Sequence, residues 1–208
     1  MYIHNVRYII PIKFVNIHPI KSLLKHYQYL ALIGVVIIGA TLRLIGIQWD
    51  DNAHLHPDER FLTMVATGIS WPQNTLDYFN THISPLNPHN KGFSFYVYGT
   101  YPVHFVKLVA DVLHKDNYDQ LPIIGRYMST IADLITLILV YLLASYISKN
   151  KTAGVFAALC YATAVLPIQI SHFFTVDPYA TLFGTLTVYR ISQGKFGWIT
   201  GMIMALAI

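Results

Sequence analysis

Charged residues are scarce in this sequence. Asp, Glu, Lys and Arg make up 12% of its 208 residues, roughly half the share found in an average soluble domain. Hydrophobic residues account for 54%, and several apolar runs come close to the 20 or so residues that a helix needs to cross a bilayer. This composition excludes an ordinary soluble domain and predicts an all-α, polytopic transmembrane helical bundle in a cell membrane.

Several functional motifs are also missing. Cys160 is the only cysteine, so an intrachain disulfide is excluded. There is no glycine-rich phosphate loop, no convincing Ser-His-Asp order and no strip of basic and aromatic residues for nucleic acid. The net charge of +4 therefore does not indicate a nucleic-acid partner, and we expect membrane lipid as the surroundings instead.

Apolar runs divide the chain into membrane-spanning segments and one long loop. We predict a basic tail at 1–28 and transmembrane helices at 29–49, 123–147, 152–170, 178–191 and 196–208. The fifth helix stops partway through an apolar segment, so we expect an N-terminal fragment of a longer protein. Loop 50–122 is predicted to contain membrane-surface helices, at 58–70 and 96–114. Arg43, near the end of the first helix, is predicted to extend its side chain to lipid headgroups.

The distribution of basic residues predicts the orientation of the chain. The tail has four Lys or Arg residues and no acid, and further basic residues follow the second and fourth predicted helices. Cytoplasmic loops of membrane proteins carry an excess of Lys and Arg. We therefore predict a multi-pass protein with a cytoplasmic N-terminus, which places loop 50–122 and the turn at 171–178 on the same external face.

Residues 50–60 form the densest polar stretch, with four carboxylates, two histidines and an arginine directly after the first apolar run. Ionisable groups at a membrane are costly and tend to be kept for a function. Asp58 and Glu59 follow a proline that predicts a helix start, where carboxylates favour the helix dipole. Two interpretations are open: both acids only favour the helix start, or one of them acts as a general base. We interpret Asp50 and Asp51 as helix-exit residues.

Four residues outside this stretch are candidates for binding or contact. Asp177, in the turn before the fourth helix, would join an external acidic site or only cap that helix. His172, five residues earlier, would bind phosphate or metal, or be an ordinary interfacial histidine. Arg126 is suited to bind a phosphate with two hydrogen bonds. Asp133 is interpreted as a polar contact to another helix.

Histidines and acids on the predicted external face leave a metal site open. His54 and His56 are candidate ligands of a divalent cation, together with Asp177. Their spacing matches no recognised metal signature. Neither the presence of a cation nor its identity follows from the residues.

The order of these features resembles that of membrane glycosyltransferases of the GT-C type. A first span is followed by an Asp-Glu pair in a large external loop. Three later segments are also similar to that family: 99–105, 126–130 followed by 137–143, and 157–189 centred on 174–178. In particular, the chain resembles the group that contains protein O-mannosyltransferases and lipid A aminoarabinose transferases. The similarity extends over roughly residues 29–194.

This resemblance implies a mannosyltransferase-like enzyme with an external active site. The donor would be a sugar on a polyprenyl phosphate, the acceptor a protein, lipid or glycan, and transfer would invert the sugar. Asp58 would be the catalytic carboxylate, and Glu59 would position substrate or a cation. Asp177 would complete an acidic pocket, and Arg126 would hold the lipid phosphate.

Two other functions are compatible with the residues. A transporter or channel subunit would use the external acids to attract cations, and broken helices in matching halves would favour it. A noncatalytic assembly protein with the same fold would be favoured by loss of the external acids, which are present in this sequence.

Overall fold

The chain folds into helices joined by turns and one long irregular loop. The computed structural model describes residues 18–207, is 69% helix and has no strand among these residues, which confirms the predicted all-α class. The elements are a 3-10 helix at Pro88–Lys91 and helices α1 (His18–Leu44), α2 (Pro57–Gly68), α3 (Thr75–Phe79), α4 (Thr100–Val112), α5 (Leu121–Ser148), α6 (Lys151–Thr163), α7 (Val165–Ser171), α8 (Asp177–Ser192) and α9 (Trp198–Ala205).

Two helices are long and apolar enough to cross a membrane, judged by length and composition. They are Tyr27–Leu44, within α1, and Leu121–Ser148, which is α5. A third span is added if α6 and α7 count as one bent helix. By the same criterion α8 and α9 are too short, since they contain 16 and 8 residues. Helix α5 is central, with α1, α4, α6 and α8 packed against it.

The first helix begins and ends at residues other than those predicted. Of the basic tail at 1–28, residues 1–17 lie outside the described residues, and α1 already begins at His18. At its other end α1 stops at Leu44, and residues 45–52 form turns. Gly46 has a φ of +75°, a left-handed conformation that glycine adopts readily at helix ends.

Residues 152–170, predicted as one span, form two helices that meet at an angle of 58°. Helix α6 ends at Thr163 and α7 begins at Val165, with Ala164 in an extended conformation between them. Pro167 explains the break, because proline has no N–H and its ring collides with the carbonyl four residues earlier in a continuous helix. That carbonyl belongs to Thr163, the last residue of α6.

Beside this break lies a buried group that we call the Arg43 cluster, made of Arg43, Asp133 and Tyr161. The Arg43 Nε donates to Asp133 Oδ2, and the Tyr161 hydroxyl donates to Asp133 Oδ1 at 2.6 Å. The other two guanidinium nitrogens donate to the carbonyls of Gly39, Ala162 and Tyr161. Arg43 is 0% exposed, so the prediction that it extends to headgroups is wrong, because Asp133 and the last carbonyls of α6 satisfy it internally. The interpretation of Asp133 as a contact to another helix is confirmed.

An apolar core joins loop 50–122 to the helices. Leu62 and Val65 of α2 and Val106 of α4 are fully buried there, together with Phe174 from the segment between α7 and α8. Gly125 of α5 allows this packing, because a Cβ atom at that position would overlap the Phe174 side chain. The core thereby holds the segment that precedes α8 close to both α5 and α2.

Candidate active site

Asp58 lies at the exposed N-terminus of α2. Pro57 takes the first helical position, and His56 is the N-cap, whose Nδ1 accepts a hydrogen bond from the Glu59 N–H at 3.2 Å. Proline loses no helical hydrogen bond at this position, and carboxylates in a first turn interact favourably with the helix dipole. The local sequence therefore forms the helix start and leaves the Asp58 carboxylate accessible to solvent.

Glu59 points away from Asp58, since neighbouring residues on a helix are about 100° apart. It belongs to a buried group that we call the Arg126 cluster, made of Arg126, Asp50 and Glu59. The Arg126 Nε donates to Glu59 Oε1 at 2.8 Å, and Nη2 lies 2.9 Å from Asp50 Oδ1. Nη1 donates to the Ile47 carbonyl at 2.9 Å, and the guanidinium lies 5.4 Å from the centre of the Trp49 ring. The cluster ties α5 to α2 and to the turns after α1.

The pKa values of the two carboxyl groups in the Arg126 cluster shift in opposite directions. Burial raises the pKa of Glu59 above its usual value, and Arg126 opposes this only in part. Burial acts in the same direction on Asp50, but the hydrogen bond and charge of Arg126 outweigh it, and the pKa of Asp50 is lowered. Glu59 Oε2 and Asp50 Oδ2 have no hydrogen-bond partner among the described residues. Asp50 is therefore the firmly charged partner of Arg126, and Glu59 takes up a proton first.

Asp58 and Asp177 come together around Tyr98 and His56. The Tyr98 hydroxyl donates a hydrogen bond to Asp58 Oδ1 at 3.1 Å. Burial, this hydrogen bond and the charges of both acids raise the pKa of Tyr98, so its phenol remains a donor. Burial lowers the pKa of His56, although the same two acids favour its charged form. Both carboxylates are exposed, so a substrate hydroxyl can reach them.

Aromatic contacts hold the segment before α8 against the start of α2. The His56 and Phe173 rings are stacked with their centres 4.1 Å apart, and Phe173 meets Trp49 edge-on at 5.5 Å. Because His56 Nδ1 accepts the capping hydrogen bond, the proton of the neutral ring is on Nε2. Asp177, four residues after Phe173, is the first residue of α8, and Val176 is its N-cap.

The other histidines predicted as ligands contact different parts of the chain. His172 lies with Nδ1 2.7 Å from the Ile168 carbonyl and Nε2 2.8 Å from the Ile45 carbonyl, so it joins α7 to the turns after α1. His54 Nε2 lies 3.4 Å from Asp119 Oδ1. Within residues 18–207, no group of three or more His, Cys, Asp or Glu side chains is placed to hold a metal ion.

Three members of the site were missed or misread in the sequence. Asp50, interpreted as a helix-exit residue, lies in the turns after α1, is 6% exposed and pairs with Arg126, because these turns bring it back to α5. Tyr98 and Phe173 carry no sequence signal among the 15 tyrosines and 11 phenylalanines of this chain. The one available hint is that Tyr98 comes directly before Gly99, the N-cap of α4.

A protein-family model matches most of the chain. It is described as dolichyl-phosphate-mannose-protein mannosyltransferase and covers residues 74–207. The matched part contains Tyr98, Arg126 and Asp177, and it begins after Asp58 and Glu59. The comparisons with curated proteins and with solved structures found no match.

Proposed function

Because the chain belongs to the dolichyl-phosphate-mannose-protein mannosyltransferase family, we propose that it transfers mannose from a polyprenyl phosphate to a hydroxyl group of a protein. A lipid-linked donor suits a chain with two or three segments apolar enough to span a membrane. The family match favours this function over a transporter or channel subunit. It also favours a protein acceptor over the lipid and glycan acceptors that the sequence left open.

The position of Asp58 is the observation that supports this function best. An exposed carboxylate at a helix start, with a hydrogen bond from Tyr98 and with Asp177 nearby, can take a proton from a bound hydroxyl. A general base must lie within hydrogen-bond reach of that proton. Asp58 has this access, whereas Glu59 is 1% exposed and bonded to Arg126.

In the proposed reaction, Asp58 activates the acceptor. The acceptor oxygen attacks the anomeric carbon of the mannose, while its proton passes to the Asp58 carboxylate. The bond between that carbon and the phosphate oxygen breaks, and the polyprenyl phosphate leaves with the bonding electrons. Attack opposite to the leaving group inverts the sugar. Asp177 would orient sugar or acceptor hydroxyls beside the reacting atoms.

Arg126 and Glu59 are assigned as positioning residues in this proposal. Arg126 was predicted to hold the donor phosphate, but its guanidinium already contacts two carboxylates and a carbonyl. We therefore propose that it anchors α2 through Glu59 and so places Asp58. His172, predicted to bind substrate, would position the turns after α1 through the Ile45 carbonyl. No step is assigned to a cation.

We further propose that the site faces the exterior and that the N-terminus is cytoplasmic. The Lys and Arg residues of the tail and of the segment after α5 support this orientation. Asp58 and Asp177, at the starts of α2 and α8, then lie on the side of the membrane opposite to these basic residues.

The test of the proposed function is Asp58→Asn in the complete protein, assayed in membranes with a polyprenyl-phosphate mannose donor and a Ser/Thr peptide. Loss of a general base lowers rates by about 100-fold or more, and we expect such a fall in kcat. The thermal unfolding midpoint should change little, because Asp58 is exposed.

Asp116→Asn is the matched control, since Asp116 is an exposed acid of the same loop outside the proposed site. It should keep the activity of the parent protein. Full activity of Asp58→Asn would rule out Asp58 as the base. Equal losses in both variants would point to a general effect of charge in the loop.

A further inference from the structure

Residues 93–98 form an uncovered backbone segment beside Asp58. The segment connects the 3-10 helix to α4 and has neither helix nor strand structure. Phe93 donates its N–H to the Pro88 carbonyl, but residues 94–98 make no backbone hydrogen bond with any part of the chain that the structure describes. Their N–H and C=O groups are therefore unpaired within the described residues.

Side chains of this segment hold it in an extended form against α2. The Tyr96 and Tyr98 rings lie 6.4 and 6.1 Å from the Phe61 ring, whereas Phe95 is 76% and Val97 is 68% exposed. This alternation is typical of an extended chain, in which successive side chains point to opposite sides. No residue of the segment has a positive φ. Residues 94–97 thus show the side-chain alternation of an edge strand, and the chain bends at Tyr98 just before α4.

We propose that residues 94–98 bind the polypeptide acceptor as an added β-strand. A row of unpaired N–H and C=O groups in an extended chain is matched by a second extended peptide, and neither a lipid nor a glycan has such repeating amides. Tyr98 already donates to Asp58. A Ser or Thr paired opposite Tyr98 therefore brings its hydroxyl to the proposed base. This inference rests on the proposed function and names the surface that its acceptor uses.

Phe95 and Val97 add a sequence preference to this binding mode. Their exposed side chains lie on the side of the segment opposite to the Phe61 contacts. Directly opposed residues on paired strands touch through their side chains. Acceptor peptides with apolar residues near the modified Ser or Thr should therefore bind more tightly than those with acidic residues there.

Proline substitution tests the backbone pairing, because proline removes the N–H and keeps the preceding residue extended. The variants are Ser94→Pro and Val97→Pro in the complete protein, whose N–H groups point to opposite edges of an extended chain. Ser94→Ala and Val97→Ala are matched controls that keep the N–H. The measurements are the KM of a Ser/Thr peptide, its Kd without donor, the KM of the donor, and hydrolysis of the donor without peptide.

We expect the proline on the pairing edge to raise the KM and Kd of the peptide by about tenfold, the size of one lost hydrogen bond. The donor KM and donor hydrolysis should stay near those of the parent. Each alanine variant keeps its N–H, so it should weaken peptide binding less than the proline at the same position. If the parent transfers mannose and both proline variants bind peptide as the parent does, the proposed strand pairing is wrong and the proposed function still stands. No transfer by the parent to any acceptor would overturn the proposed function itself.

The membrane surface is the competing occupant of this edge. To distinguish peptide binding from membrane contact, the Phe95→Trp variant is placed in vesicles with brominated acyl chains, which quench tryptophan fluorescence. The fluorescence of the parent protein in the same vesicles is the reference. Protection of the new tryptophan by added peptide would support the strand. Quenching by lipid that peptide does not relieve would overturn it.

Discussion

Arg43 and Arg126 are both fully buried, yet they are neutralised in different ways. In the Arg43 cluster one guanidinium meets one carboxylate, and the Tyr161 hydroxyl satisfies the second oxygen of that carboxylate. In the Arg126 cluster one guanidinium meets two carboxylates. Glu59 Oε2 and Asp50 Oδ2 have no hydrogen-bond partner among the described residues.

The difference separates an ion pair that completes a helix end from one that lies beside the proposed site. Arg43 also donates to the last carbonyls of α6, so its cluster completes a broken helix in apolar surroundings, where unsatisfied backbone groups are costly. The Arg126 cluster has a surplus of negative charge, and its Glu59 directly follows the exposed Asp58 in α2. Burial is therefore common to both arginines, and the charge balance and the neighbouring exposed acids distinguish the Arg126 cluster.

The largest effect is expected for Arg43→Met. The substitution leaves Asp133 buried without a cation and removes the donors to the α6 carbonyls. Breaking a buried ion pair in this way costs about 3–5 kcal/mol. We expect a correspondingly large fall in the thermal unfolding midpoint of the purified protein in detergent.

The double variant Arg43→Met/Asp133→Leu tests whether uncompensated charge causes this loss. It removes both charges, so it should recover part of the stability. If the double variant is as unstable as Arg43→Met, the loss comes from the unsatisfied α6 carbonyls and not from the uncompensated charge of Asp133.

A smaller effect is expected for Arg126→Met. Because burial already raises the pKa of Glu59, this group can take up a proton when the guanidinium is gone, and the cost falls to about 1–3 kcal/mol for the unsatisfied groups. Without Arg126 the pKa of Asp50 and that of Glu59 rise above their unfolded values. The folded state then binds more protons than the unfolded state, so stability decreases as pH rises.

Unfolding midpoints across pH check this sign. The deficit of Arg126→Met relative to the parent should be larger at about pH 8 than at about pH 5. Arg60→Met, at an exposed arginine of α2, should show no such trend. A deficit that grows on acidification would contradict the assignment of the two carboxyl groups.

The smallest effect is expected for Glu59→Gln. Glutamine keeps an oxygen that accepts from Arg126 Nε, and the Asp50 pair still balances the guanidinium, so we expect a loss below about 1 kcal/mol. The raised pKa of Glu59 makes the parent lose stability as pH rises through that pKa, and the variant should lack this decline.

Asp133→Asn is the matched change in the other cluster. It leaves Arg43 without a counter-charge, so it should cost several times more than Glu59→Gln in the same unfolding assay. Similar losses in the two variants would show that the clusters do not differ in their charge balance.

The sequence predicts the elements of this protein better than their contacts. The start of α2 after a proline, the helical loop segment α4 and the apolar α5 follow from local patterns. The break before Pro167 does not, because an apolar run of 19 residues outweighs one proline when only composition is considered. The contacts of Arg43, predicted at the headgroups and observed beside that break, depend on it as well.

Composition, spacing and short motifs by themselves determined the all-α class, the two long apolar spans and the resemblance to protein O-mannosyltransferases. The family match confirms that resemblance. They also named Asp58, Glu59 and Asp177 as candidates. Only the tertiary structure decided which acid each arginine meets and that Tyr98 joins Asp58. The Tyr98 hydrogen bond joins residues 40 positions apart and the Arg43 pair residues 90 apart. The packing of helices against one another determines such long-range contacts, and local sequence patterns do not predict them.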